Sequence, residues 1–338
     1  MLPINVSHVC SLWRELALRT PALWRRIWLG SRYHMWRERI YRARSCSLDI
    51  VLWSPDPAQR SLHSTSTVNF FQVQSYMHIV SPYVRRWRSL DIRLRTYSPY
   101  LWNGALSECC SWSGQTQAPL LEELTLIYRQ NDDTKEFCLF SGHAPRLHSA
   151  TIDGIRLTWL PSLFQNLTFL DYTHHGFNSG YQAIQEIVTL LQVSSRLVHL
   201  RLMFPDKMFR GRRSSRSSPV IPQVHLPFLR TLHLRVETKD IPYEFIFLAS
   251  LLITPVLTSL SLIDTTPQRS PFSNVRTFIS LYIFPPSLQS VSIHYGWYTK
   301  ELVTWLTQKL PSLKRLTLKR RDDYVQELEL NQNRRRRV

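Results

Sequence analysis

The sequence predicts an α/β fold. It reads as a leucine-rich-repeat solenoid, with a parallel sheet on the concave face and helices on the convex face, preceded by a small helical segment. Two observations predict it. The phrase Leu-x-x-Leu-x-Leu, with conservative exchanges, starts at positions 87, 121, 147, 167, 197, 229, 257, 288 and 313, at intervals of 20 to 34 residues. Those intervals lie near the period of leucine-rich repeats, roughly 20–29 residues. Between the phrases lie stretches whose apolar residues recur at helical spacing. A strand–loop–helix–loop unit buries its leucines only against its neighbours, so such units stack and fold as a set.

The elements follow in order. Val6, Val9, Cys10, Trp13, Leu16 and Ala17 step as one stripe of an amphipathic helix over 6–18. Thr20-Pro21 supplies a capping residue and a proline suited to a first helical turn. A short second helix is therefore expected there, presenting Leu23, Trp24 and Ile27. A third is expected over 32–44, with Trp36 and Ile40 inward. Leu48, Ile50 and Leu52 alternate as a first strand. Helical stripes then appear at Val73, Tyr76, Met77 and Val80, and at Ile184, Ile187, Val188 and Leu191. Two more begin at Val275 and Leu302. Prolines 119, 145, 227, 255, 285, 286 and 311 precede repeat strands, where a missing N–H costs no ladder bond.

Composition narrows the function classes. Of 338 residues, 43% are hydrophobic and 12% aromatic, enough for a substantial core. The net charge of +18 attracts anions, whether nucleic acid, acidic protein segments or membrane surface, and equally serves as solubility charge. Five cysteines in no metal-binding spacing, with no secretion signal, point to reduced thiols in an intracellular protein, cytoplasmic, nuclear or both. The longest apolar run, 245–253, is too short to cross a bilayer, so no membrane partner is expected. No Walker, G-x-S-x-G, H-E-x-x-H or G-x-G-x-x-G phrase is present. His174 and His175, adjacent on a strand, would point to opposite sides. No enzyme activity, metal or cofactor is expected. The vicinal Cys109-Cys110 pair reads as structural.

The segment from Val6 to Ile27 contains V-C-x-x-W-R-x-L-A, a break, and T-P-x-L-W. This resembles the later half of an F-box. Ser47-Leu-Asp-Ile and Arg86-Trp-Arg-Ser-Leu-Asp-Ile look like linker phrases of the large fungal F-box/leucine-rich-repeat families. Met1-Leu-Pro-Ile-Asn runs directly into the motif, where an F-box has a first helix, so the resemblance is to an N-terminally truncated form. It implies a substrate-recognition (adaptor) subunit of an SCF-type E3 ubiquitin ligase. The repeats would hold a protein substrate and the helices would hold the Skp adaptor. Carried over residue by residue, the adaptor-facing candidates are Val9, Cys10, Leu12, Trp13, Leu16, Leu23 and Trp24, in a helix-in-groove contact.

Alternate residues of each repeat strand face the open side of the sheet. Early strands place Glu123, Asp153 and Asp171 there, and later strands His199, Arg201, His233, Arg235, His294, Arg315 and Lys319. Guanidinium groups bind carboxylates and phosphates bidentately. The later face is thus a candidate site for an acidic or phosphorylated substrate segment. The alternative is a stand-alone repeat scaffold holding an anionic partner, an acidic protein segment or nucleic acid. The expected organisation is a helical segment at 1–45, repeats at 46–330 with a basic insertion at about 205–222, and a basic tail at 331–338.

Overall fold

The computed structural model describes residues 4–5, 8–30, 33–54, 68–110, 116–205, 221–266, 270–319 and 325–329. Val6, most of the basic insertion and the arginine tail lie outside the described residues. The chain divides into two compact units, Met1–Asn166 and Leu167–Val338. Strands of three or more residues and α-helices of six or more residues are numbered below.

In the first unit, β1 (Arg26–Trp28), β2 (Leu48–Trp53), β3 (Trp87–Arg93), β4 (Glu123–Ile127) and β5 (Ser149–Asp153) pair side by side in chain order, all parallel. Helix α1 (Ser11–Arg19) precedes β1, and α2 (Tyr33–Arg42), α3 (Phe70–Val80) and α4 (Leu101–Leu106) lie in the connections that lead to β2, β3 and β4. The second unit repeats the arrangement. Strands β6 (Phe169–Thr173), β7 (His199–Phe204), β8 (Thr231–Val236), β9 (Ser259–Asp264), β10 (Ser290–His294) and β11 (Arg315–Lys319) are parallel neighbours. Helices α5 (Tyr181–Val193), α6 (Tyr243–Leu251), α7 (Val275–Leu281) and α8 (Lys300–Lys309) connect them. A final strand, β12 (Val325–Glu329), lies antiparallel against β11 and pairs its otherwise open edge.

The recurring leucine phrase accounts for the register. Leu200, Leu232, Leu260, Val291 and Leu316 stand level across five strands, and Leu202, Leu234, Leu262, Ile293 and Leu318 form the next row. Every apolar position of all nine phrases is buried. A one-residue slip would turn each of those side chains to water, so the pattern locks the pairing. The approach to the strands also repeats. The amide N–H of Leu121, Leu147, Leu197, Leu229, Leu257, Leu288 and Leu313 each donates to the carbonyl three residues earlier, closing a tight turn before the strand. From Leu147 onward the two residues that follow share one carbonyl at the entry to the preceding strand, as Val198 and His199 do with Thr168, and Thr258 and Ser259 with Arg230.

The helical stripes fall as the spacing predicts. Val73, Tyr76, Met77 and Val80 of α3 are buried, as are Ile184, Ile187, Val188 and Leu191 of α5. Helix α3 starts on a capping box. The Gln72 N–H donates to Asn69 Oδ1 at 2.9 Å, and the Asn69 N–H to Gln72 Oε1 at 3.2 Å. Asn69→Ala is expected to lower unfolding stability by about 1 kcal/mol, measured by urea denaturation.

The expected short helix after Thr20-Pro21 is different. Pro21–Trp24 is a 3-10 turn, and the chain then extends into β1, where Ile27 pairs with Ile50. Ile27 and Trp28 favour extended structure, and alternation along the strand buries Ile27 while leaving Arg26 and Trp28 outward. The sheet therefore crosses the expected boundary at residue 45. The tail of the motif-like segment belongs to the core of the first unit.

Candidate functional site

Three arrangements of side chains carry chemistry. The first is at the N-terminus. Helix α1 is anchored from below: Ala17 is buried, and the buried Trp24 donates its indole N–H to the Ala17 carbonyl at 2.7 Å. The Arg42 guanidinium lies over the same indole, 4.5 Å from its centre. On the outward side, Val9, Leu12, Trp13 and Leu16 are all at least half exposed, and Cys10 is exposed too. These side chains are the candidates for an apolar interaction surface in the first unit. Two of the seven adaptor-facing candidates do not belong to it. Trp24 is 2% exposed against 50% for Trp13, and Leu23 is half-buried beside it. The 3-10 turn swings Trp24 inward under α1, which the spacing alone did not reveal.

The second arrangement is on the open face of the second unit's sheet. Asp171 on β6 stands level with Arg201 on β7, 3.6 Å away, and Arg235 on β8 also reaches Asp171. The Arg201 guanidinium lies over Phe169, 5.4 Å from the ring centre. His233 sits level with Arg201. Burial, then the neighbouring Arg201 and Arg235, push its pKa down. His294 lies level with Lys319 and is pushed down by burial and that lysine. His199 is exposed on β7. Arg315 and Lys319 are exposed, but β12 sets Glu329 directly opposite Arg315. The basic face is thus partly neutralised from within. Arg201 and Arg235 share a carboxylate, because parallel register brings an acidic early strand beside basic later ones. The first unit uses the same device at Asp49, which accepts from Arg25 at 2.9 Å, from Arg88 at 2.9 and 3.0 Å, and from Ser89 at 3.1 Å. Asp153, at the end of β5, is likewise engaged. It is buried and paired with Arg129 at 2.8 Å.

The third arrangement is the one that sequence spacing missed. His174 and His175 follow β6 rather than extend it, so their rings do not diverge. They lie 4.3 Å apart, and both aim Nε2 at Glu186 on α5. His175 Nε2 is 3.0 Å from each carboxylate oxygen, and Asn178 donates to the same carboxylate at 2.8 Å. His174 is 1% exposed, and its Nε2 stops 3.8 Å from Glu186, beyond hydrogen-bond reach. Burial would raise the Glu186 carboxyl, but the two imidazoles reverse that and hold it well below the usual carboxylate range. Burial holds His174 below its ordinary value, against the pull of Glu186.

Two histidines and a glutamate with donor atoms within 4.8 Å of one another form a potential metal set. Their hydrogen bonds do not fit coordination. The Gly176 N–H donates to His174 Nδ1 at 3.1 Å, and the Phe177 N–H to His175 Nδ1 at 3.0 Å. Each neutral ring that accepts at Nδ1 carries its proton on Nε2, the atom facing Glu186. A metal would need those lone pairs, and the proton would then meet a backbone N–H. The cluster is built to hold the 174–178 turn against α5. The signal that could have exposed it was Gly176 after the two histidines, since Gly176 takes a positive φ of 80° and turns the chain.

The vicinal pair Cys109-Cys110 offers no nucleophile. Burial raises Cys109 well above its ordinary value and Cys110 to about 12, so both stay protonated at neutral pH. Among the described residues, no helix is long and apolar enough to cross a membrane. No protein-family model matches the chain. No curated protein matches it either.

Proposed function

We propose that the chain is a non-catalytic receptor of the F-box/leucine-rich-repeat kind. The stacked strands would be leucine-rich repeats that hold a protein substrate, and the outward face of α1 would hold a Skp-type adaptor. The observation that carries this reading is the exposed apolar set of Leu12, Trp13 and Leu16 on α1, with Val9 in the turn before it, on a helix pinned from beneath by Trp24. Leaving four large apolar side chains in water costs solubility with no gain in the isolated chain, unless a partner covers them. Helix-in-groove binding is the mode such a short amphipathic helix serves. The function would be to place a bound protein near a ubiquitin-transfer machine. The repeated strand-entry turns and the level leucine rows support the repeat assignment.

The test is capture of a purified Skp-type adaptor by the full chain. Leu12→Ala, Trp13→Ala and Leu16→Ala together should reduce capture at least tenfold while leaving the melting temperature within a few degrees. Trp24→Ala should instead destabilise the first unit, because it removes a buried ring. If wild-type and triple variant capture equally, or if neither captures, the adaptor reading fails. Salt-steep binding of nucleic acid without sequence preference would then favour the stand-alone scaffold.

A further inference from the structure

A second feature of the first unit does not involve Val9, Leu12, Trp13 or Leu16. Behind α2 lies a cavity of about 670 Å³ whose wall is crowded with guanidinium groups. Arg37, Tyr41 and Arg44 come from the same side of α2 and the turn after it, at steps of four and three residues, and Arg42 adds a third guanidinium. Arg86 closes the wall from the turn before β3, with Tyr83 beside it. Four arginines thus face one volume, and Glu38 is the carboxylate among its lining residues.

The arginines differ in how they are held. Arg42 bonds Glu38 at 2.7 Å, and Arg86 donates twice to the Cys46 carbonyl at 3.1 and 2.9 Å while lying over the Tyr83 ring. These two are fixed in place with donors left over, since a guanidinium carries five N–H groups. Arg37 and Arg44 are exposed and have no carboxylate partner among the described residues. Arg44 also takes a left-handed backbone conformation, with φ of 49°. That conformation, just past the end of α2, is a common way for a helix to terminate. Like charges gathered around one cavity repel one another, and a bound anion converts that repulsion into attraction.

We infer that this cavity is a binding site for a phosphate-bearing ligand. Bidentate pairing suits guanidinium to phosphate oxygens. The volume lies within the range of small-ligand sites, ~300–1,000 Å³, and is too large for a lone inorganic ion to fill. Tyr41, which is exposed, and Tyr83 add aromatic rings to the lining, while Leu18 and Ile40 supply apolar wall. The ligand therefore carries phosphate on a body with an apolar or aromatic part. A mononucleotide and a phosphorylated peptide side chain share that chemistry.

The experiment is calorimetric titration of the full chain with inorganic pyrophosphate, ATP, adenosine and a phosphotyrosine peptide. Saturable binding of at least one phosphate compound is expected, with none for adenosine. Preference for ATP identifies a nucleotide source, and preference for the peptide a protein source. Arg37→Gln with Arg44→Gln should weaken the preferred ligand at least tenfold, with an unchanged circular dichroism spectrum. A control pair in the other unit, Lys300→Gln with Lys314→Gln, lowers the net charge equally and should change affinity less than twofold. The inference is overturned if no phosphate compound saturates, or if the control pair weakens binding as much as the cavity pair. A third variant keeps the question open to test if the arginine pair fails to fold: Tyr41→Ala should weaken ATP or the peptide but not pyrophosphate.

Discussion

Replacing Gly154 with alanine is expected to destabilise the first unit by roughly 3 kcal/mol or more, among the largest effects of any single methyl group in the chain. Gly154 follows β5 with a φ of 75°, a conformation that penalises any residue with a Cβ. A Cβ there would also overlap the backbone carbonyl of Tyr128, which has no side-chain freedom with which to retreat. The same glycine's carbonyl accepts the buried Trp102 indole N–H at 3.1 Å, so a displaced turn would orphan a donor on α4. Gly30 is the comparison. A Cβ there meets nothing within 4 Å. Gly30→Ala should change stability by less than about 1 kcal/mol, and could raise it by restricting the unfolded chain. Urea midpoints of the two variants decide the matter. Equal effects would mean that the turn after β5 relaxes freely, and that Trp102 does not depend on it.

Glu186→Ala is expected to cost the second unit about 2–4 kcal/mol, since it strips the acceptor from the His175 Nε2–H and the Asn178 amide in a buried place. The pH dependence has a defined sign. The folded Glu186 carboxyl lies below its ordinary value of 4.5, so its contribution is complete above that pH and is lost as acid protonates it in the fold. The folded His174 lies below its ordinary 6.5, so the unfolded chain takes up a proton first, and stability falls as pH drops below 6.5. Both groups act in the same direction, with His174 opening the decline and Glu186 extending it. Unfolding midpoints of wild type should fall between pH 7 and 5, then faster below 4.5. His174→Gln should flatten the upper limb, and Glu186→Gln the lower. A wild-type midpoint that stays level from pH 7 to 4 would contradict both assignments.

These two sites show where sequence reasoning reaches and where it stops. The leucine phrase located every long strand from β3 to β11, because burial imposes a period that survives without knowledge of neighbours. The helical stripes of α3 and α5 were legible for the same reason. Charge was not legible in that way. Arg201 and Arg235 read as free cations until parallel register set Asp171 within their reach, and no spacing along the chain encodes a contact between strands. The exposed apolar residues around α1 were legible as a stripe, but Trp24 needed the 3-10 turn to be seen pointing inward.

Sequence by itself determined the parallel α/β repeat pattern, the inward rows of leucines and the absence of recognisable catalytic phrases. It did so through local periodicity, which each segment carries within its own residues. Only the tertiary structure decided which charges stay available. It drew Asp171 to two arginines, set Glu329 opposite Arg315, and turned His174 and His175 together onto Glu186. It also gathered Arg37, Arg42, Arg44 and Arg86 around one cavity across more than forty residues of chain. Electrostatic partners are chosen by distance in space, and that distance is set by the packing of apolar rows that contain no charge at all.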